Sequence, residues 1–310
     1  MSEHTLRRLL ALLGTLVVLH FGVRAVRYFG RPKADTGGSF GAALRQLATD
    51  TITGATITSP AGNAVELRKT GPNWTVNGFP ADSVAVARFL DAAGHASLGM
   101  LAARSNTTHA ALGVTDSAAW KVTVRSAHDS LRFLLGTEGP QYPSGYARLP
   151  GRDTVYTVLG NFRDATANPL ASWRDRIILQ LDTTAIGRIA FERDHQTFDM
   201  RRGDKAWIGA GGAADSADLT HAVAVISELS HLEASGFPAD STHPSTRQTR
   251  RVTAFGKNGD TLAVVTLTGD GTSDWSATAR GNAQQYLLST FDADRLVPKR
   301  TELFPGHKGH

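Results

Sequence analysis

The chain contains no cysteine. That absence excludes disulfides, thiolate nucleophiles, zinc–thiolate sites and cysteine-held iron–sulfur clusters, and leaves the redox compartment open. An excess of one charge sign is also missing from most of the chain. Residues 1–33 carry Arg7, Arg8, Arg24, Arg27, Arg31 and Lys33 against Glu3, which accounts for the whole formal net charge of +5. This leaves 27 of the 33 basic and 27 of the 28 acidic residues for the rest. A body without basic excess has nothing to draw it onto a phosphate backbone, so no nucleic-acid partner is expected.

Chemical motifs are lacking as well. The 11 histidines show no HExxH or other recognised ligand spacing, and His221 and His231 read as surface residues. Gly209-Ala-Gly-Gly212 precedes a helix, but Ala213, Ala214 and Asp215 intervene, so it reads as a loop and not as a phosphate cradle. Asp270, Ser273 and Asp274 fall short of a full calcium loop. No Ser–His–Asp grouping is legible. No catalytic residue, metal ligand or cofactor is therefore assigned, and the chain is not expected to be an enzyme.

Long hydrophobic runs are reduced to one. Leu9–Val23 reads LLALLGTLVVLHFGV, and Leu9, Leu10, Leu12, Leu13, Leu16, Val17, Val18, Leu19, Phe21 and Val23 place apolar surface all round a helix. A spanning helix needs about 20 residues. Continuation to Phe29 reaches that length if Arg24 and Arg27 snorkel to the interface. Arg24-Ala-Val-Arg27 is a poor cleavage site, so an uncleaved anchor is expected rather than a signal peptide.

What the chain does contain is a repeat. Trp74 and Trp207, Leu67 and Met200, and Ala81-Asp-Ser83 and Ala214-Asp-Ser216 recur at one offset. Val122-Thr123 with Val252-Thr253, Ala147-Arg148 with Ala279-Arg280, Tyr156 with Tyr286, and Leu159, Phe162 and Pro169 with Leu288, Phe291 and Pro298 follow in order. Ordered matches with small drifts indicate a duplicated unit. In each copy an alternating strand pair (Ala55–Thr58 with Ala64–Lys69, Arg188–Glu192 with Thr197–Arg201) leads through a turn to the Trp. A helix follows, capped by Asp82-Ser83 or Asp215-Ser216, with expected buried faces Val86, Phe89, Leu90, Ala93 and Leu219, Ala222, Val223, Ile226. A meander closes each unit, with turn signals at Asn258-Gly259 and Asp270-Gly271. Arg148 and Arg280, matched by the repeat, are expected in structural salt bridges.

The two copies meet at Ala171–Asp182. Here Trp173, Arg174, Asp175 and Arg176 form the expected inter-lobe junction, a short helix running into the strand begun by Ile177. The fold class is α+β: two repeated lobes, each a mainly antiparallel sheet with one principal helix, preceded by one N-terminal membrane helix. The expected divisions are an anchor over 1–30, a linker over 31–50, lobes over 51–181 and 182–305, and a tail over 306–310.

The Trp after a strand pair, the Asp-Ser-capped helix, Tyr146-Ala-Arg148, Val155-Tyr156 and Trp173-Arg-Asp-Arg-Ile-Ile-Leu179 together resemble the bacterial domain-of-unknown-function family 4340. The resemblance covers about residues 50–300. It implies membrane anchoring beside ABC-transporter or gliding-type machinery, and it transfers no catalytic residue. It also implies an inner-membrane location with the body on the periplasmic side, whereas the cations after the anchor would place the body in the cytoplasm. The leading functional expectation is a non-catalytic extrinsic scaffold that binds integral membrane subunits and meets the bilayer through its N-terminal helix. One such complex is a photosynthetic reaction centre with its light-harvesting ring. The alternatives are an accessory or binding subunit of an ABC-type transport system, and an enzyme with an unrecognised site.

Overall fold

The computed structural model describes residues 38–47, 49–127, 129–209, 216–238 and 248–306. The apolar stretch Leu9–Val23 and its flanking cations lie outside them. Among the described residues no helix is long and apolar enough to cross a membrane. The chain divides into two compact units between Trp173 and Arg174.

The first unit runs α1 (Ser39–Arg45), β1 (Ile52–Thr58), β2 (Ala64–Thr70), β3 (Asn73–Val76), β4 (Phe79–Pro80), α2 (Ser83–Gly94), β5 (Ser97–Ala103), β6 (Trp120–Ser126), β7 (Ser130–Glu138), β8 (Ser144–Arg148), β9 (Val155–Leu159) and α3 (Phe162–Thr166). A 3₁₀ turn, Leu170–Trp173, closes it. Its strands form one sheet in the order β4-β3-β2-β1-β6-β7-β8-β9-β5, every pairing antiparallel. The second unit runs β10 (Ile177–Leu179), β11 (Ile186–Arg193), β12 (Gln196–Arg202), β13 (Trp207–Ile208), α4 (Leu219–Ser230), β14 (Leu232–Glu233), β15 (Gln248–Gly256), β16 (Thr261–Gly269), β17 (Trp275–Ala279), β18 (Tyr286–Leu288), α5 (Thr290–Leu296) and α6 (Arg300–Leu303). Its main sheet is ordered β13-β12-β11-β15-β16-β17-β18, and β10 pairs separately with β14. That pairing carries residues 174–181 into the second unit, whereas the repeat alone set the boundary at 181/182. The α+β class with antiparallel sheets and few helices holds in both units.

Strand pairing shows the duplication directly. Trp74 pairs with Lys69 and Trp207 with Arg202, the same place in each copy. A bulge follows Ile52 in one unit and Ile186 in the other. Tyr156 opposes Ala147 as Tyr286 opposes Ala277. This last pair corrects one equivalence: Ala147-Arg148 corresponds to Ala277-Thr278, and Arg280 lies beyond the end of β17. Phe162 and Phe291 are not equivalent either. Phe162 is fully buried, whereas Phe291 is exposed because α5 turns Ala293 and Leu296 inward.

The helix caps give a second correction. Asp82 caps α2, its carboxylate accepting from the Ala85 N–H at 2.7 Å. In the second unit Asp218 is the cap, accepting from the His221 N–H at 3.0 Å, and Asp215 lies outside the described residues. The reason is a shared latch. The Asp82 N–H donates to the Trp173 carbonyl and the Asp218 N–H to the Leu303 carbonyl, both at 2.8 Å. The sequence Ala-Asp-Ser-Ala-Asp offers two caps three residues apart, and the closing segment selects the later one. The buried face moves with it, to Ala222, Val225 and Leu229, while Leu219 and Val223 face outward. On α2, Val86, Phe89 and Ala93 are buried as expected, with Ala92 in place of Leu90.

Each unit has its own core. In the first, a chain of aromatic contacts runs Trp173–Phe89–Phe162–Phe133–Phe40, with centroids 5.7–6.0 Å apart. Phe40, Leu44 and Leu47 come from a segment expected to be linker, and all three are buried. Residues 104–119 cross the opposite face of this sheet and bury Val114, Leu134 and Val155. The approach is close, since a Cβ at Gly136 would overlap the Leu112 carbonyl oxygen.

Candidate functional site

The junction residues are bound up within their own units. Trp173 lies in the first core, with its indole N–H donating to the Asn168 carbonyl at 3.4 Å. Arg174, Asp175 and Arg176 open the second unit. The Arg174 guanidinium stacks 4.0 Å above the Phe237 ring and donates to the Gln284 side-chain oxygen at 3.3 Å. Buried Gln284 in turn donates to the Asp175 carbonyl at 3.0 Å. Arg176 donates to the Ala234 carbonyl from two nitrogens, at 3.0 and 2.7 Å. Asp175 accepts from the Ile177 N–H at 2.9 Å. Tyr286 reaches the same strap, donating to the Ile177 carbonyl at 3.3 Å, and burial holds its hydroxyl above the ordinary tyrosine range. These groups fasten a segment that enters the second unit.

The other residues weighed from the sequence are committed in the same way. Arg148 is buried and donates to the carbonyls of Val114 at 2.6 Å, Arg152 at 3.3 Å and Leu149 at 3.4 Å, and to the Asp116 carboxylate at 2.7 Å. It pins residues 104–119 to the sheet, while Arg280 is exposed. Asp270 accepts from the N–H groups of Thr272 and Ser273 and from both their hydroxyls, which pulls its carboxyl to about 2 and closes the turn on itself. His221 rests against Asp218 at 2.9 Å. Of the glycine run only Gly209 is described. Among the described residues no three His, Asp or Glu side chains gather as metal ligands.

Two features had no signal in the sequence. The first is a buried arginine pair. Arg193 at the end of β11 and Arg250 on β15 both reach the Asp294 Oδ1 atom of α5, at 3.0 and 2.7 Å. Burial and the neighbouring Arg193 charge lower the Arg250 affinity for its proton, against the pull of Asp294. The second is a set of outward apolar side chains on α4, with Phe291 exposed on α5 under the Arg295 guanidinium, 5.4 Å from its ring centre. Leu219 is 76%, Val223 54% and Phe291 67% exposed. The exposed positions of α4 are Leu219, Thr220, Val223 and Ser227, none charged, whereas α2 exposes Arg88 and Asp91. Scattered exposed apolar residues are ordinary, but a helix face with exposed aliphatic side chains and no charge has the composition of an interface core.

Glu228 on α4 lies 3.2 Å from Arg295 of α5. Burial raises its carboxyl above the ordinary glutamate range despite Arg295, and Asp292 adds to the rise. The folded chain therefore holds this proton more tightly than the unfolded chain. Its contribution to stability falls as pH rises from the ordinary glutamate value through the raised one. Glu228→Gln removes that fall. Thermal melts between pH 4 and pH 8 are expected to show a flatter profile for the variant, and identical profiles would contradict the assignment.

Residues 74–252, more than half of the chain, match the family described as domain of unknown function (DUF4340). The match begins at β3 and ends within β15, so it takes in both Trp positions of the repeat, Trp74 and Trp207. No curated protein and no solved structure matches the chain.

Proposed function

The chain belongs to the DUF4340 family, and from that premise we propose that it is a membrane-anchored, non-catalytic extrinsic subunit that docks onto a larger membrane protein complex. The observation that carries the reading is the outer face of α4, whose exposed residues Leu219, Thr220, Val223 and Ser227 include no charge. Two aliphatic side chains held on a packed helix are suited to fill pockets on a partner at little entropic cost. The complementary surface is apolar and uncharged, since a charge buried against Leu219 or Val223 would go unpaired.

The anchor supports this reading from the sequence. Ten of the fifteen residues of Leu9–Val23 are Leu, Val or Phe. The body is proposed to lie on the periplasmic side of the inner membrane, with Arg7 and Arg8 inside. An accessory or binding subunit of an ABC-type transport system is the second reading, favoured by the surroundings the family resemblance implies. Nothing among the described residues favours a photosynthetic complex over another membrane assembly.

The test is gentle detergent extraction of the tagged full chain, beside a variant carrying Leu219→Glu and Val223→Glu. The parent is expected to bring down a fixed set of integral membrane subunits. The variant, melting within about 2 °C of the parent because both positions are exposed, is expected to lose them at least about tenfold. A parent that purifies alone defeats the scaffold reading, and a variant that keeps its partners removes this face from it. Recovery of a permease and its ATPase would select the transport reading.

A further inference from the structure

Three places in the chain put Asn or Asp directly before glycine: Asn77-Gly78, Asn258-Gly259 and Asp270-Gly271. Glycine has no Cβ to shield its own nitrogen, so that nitrogen can reach the side-chain carbonyl carbon of the residue before it. All three pairs lie in turns between antiparallel strands, and their glycines hold positive φ angles of 85°, 88° and 82°. Exposure does not separate the two asparagines, since Asn77 and Asn258 both face solvent. Their hydrogen bonds do.

The Asn77 side chain is clamped. Its Oδ1 atom accepts from the Glu66 N–H at 2.7 Å, and its Nδ2 atom donates to the Ala64 carbonyl at 3.0 Å. Bringing Asn77 Cγ onto the Gly78 nitrogen breaks both bonds and leaves the Glu66 N–H without its acceptor. Asp270 is held harder, its Oδ1 atom accepting from the N–H and the hydroxyl of both Thr272 and Ser273. A carboxylate held this way stays ionised and has no neutral group to expel. Asn258 has no such hold: among the described residues its side chain forms no hydrogen bond. The Gly259 N–H donates to the Gly256 carbonyl at 3.0 Å, one bond in an exposed turn. A Cβ placed on Gly259 would meet nothing within 4 Å, so water reaches the turn freely.

We propose that Asn258 is a self-modification site, at which the folded chain converts its own asparagine to aspartate and isoaspartate with water as the only co-substrate, while Asn77 and Asp270 are protected. The Gly259 nitrogen gives up its proton to hydroxide and attacks Asn258 Cγ. The new C–N bond closes a succinimide ring as the Cγ–Nδ2 bond breaks, and ammonia leaves with a proton from solvent. Water then opens the ring. Opening at the Cγ carbonyl yields aspartate, and opening at the main-chain carbonyl yields isoaspartate, whose backbone runs through Cβ and Cγ. One water enters, one ammonia leaves, and nothing is oxidised or reduced. The product sets a new carboxylate beside Asp260. In the iso form it also adds a carbon to a turn that the Gly256 N–H closes on the Asp260 carbonyl at 2.8 Å.

The test incubates the full chain in detergent and mildly alkaline buffer, and follows the peptides bearing Asn77, Asn258 and Asp270 by mass spectrometry with fragmentation that separates isoaspartate from aspartate. In the folded chain Asn258 is expected to lose its amide at least about fivefold faster than Asn77, the effect of one hydrogen bond fewer to break. Asp270 is expected to yield no isoaspartate over the same interval. In denaturant the clamps are gone, and Asn77 and Asn258 are expected to react at similar rates. Raising the pH is expected to speed the conversion at Asn258, because the attacking nitrogen must first lose its proton. Asn258→Gln, whose longer side chain cannot close the succinimide ring, is expected to abolish the conversion there and to melt within about 1 °C of the parent, since the position is exposed. Asn77 reacting as fast as Asn258 in the folded chain would overturn the proposal. So would an Asn258 that reacts only after denaturation, or isoaspartate formed at Asp270 in the folded chain.

Discussion

Trp173→Ala is expected to cost the first unit about 3–5 kcal/mol, the range for truncating a fully buried large aromatic. Trp173 is completely buried and meets Phe89 edge-on, with centroids 5.8 Å apart and rings at 76°. Phe89 then contacts Phe162, and Phe162 contacts Phe133. A cavity at the end of this chain is lined by large rings that cannot close in without leaving their own contacts, so little of the loss is recovered. The same segment fixes the start of α2, because the Trp173 carbonyl accepts the Asp82 N–H. Displacement of the 3₁₀ turn would therefore also free the helix cap. Calorimetry of the full chain in detergent checks this. A loss below about 1.5 kcal/mol would mean that the turn is not part of the core.

Arg148→Met is expected to cost about 2–4 kcal/mol, and Arg280→Met less than about 0.5 kcal/mol. Arg148 is buried and supplies donors to three backbone carbonyls and one carboxylate. Methionine fills much of the volume and none of the bonds, so the Val114 carbonyl loses its partner and residues 104–119 lose their pin. Arg280 is exposed beyond the end of β17. The two residues look interchangeable in the repeat, so comparing them separates strand register from sequence likeness. Hydrogen exchange is expected to show faster exchange over 104–119 in Arg148→Met alone. Equal effects of the two substitutions would mean that the register assigned here to β8 and β17 is wrong.

Much of the architecture was legible because it rests on short-range rules. Alternating apolar residues in Ala64–Lys69 and Thr197–Arg201 become β2 and β12. Asn258-Gly259 and Asp270-Gly271 become turns because each glycine takes a positive φ, 88° and 82°. The junction motif becomes a 3₁₀ turn followed by a strand. The duplication was legible in Trp74 and Trp207, which mark one position in two equivalent sheets.

Long-range contacts decided the rest. Two Asp residues three apart were equal as caps until the Leu303 carbonyl engaged Asp218, and that choice turned Leu219 and Val223 outward into the candidate docking face. Residues 104–119 show no alternation, since they are held by Arg148 and by sheet contacts far along the chain. Arg193, Arg250 and Asp294 are separated by long stretches of sequence and share no motif. Antiparallel pairing of β11 with β15 and the packing of α5 bring them to one carboxylate oxygen. Sequence by itself determined the period and turns of each segment, because these depend on neighbours a few residues away. Only the tertiary structure decided register, which helix face is left uncovered and which charges are buried together, because each depends on partners that folding alone brings within bonding distance.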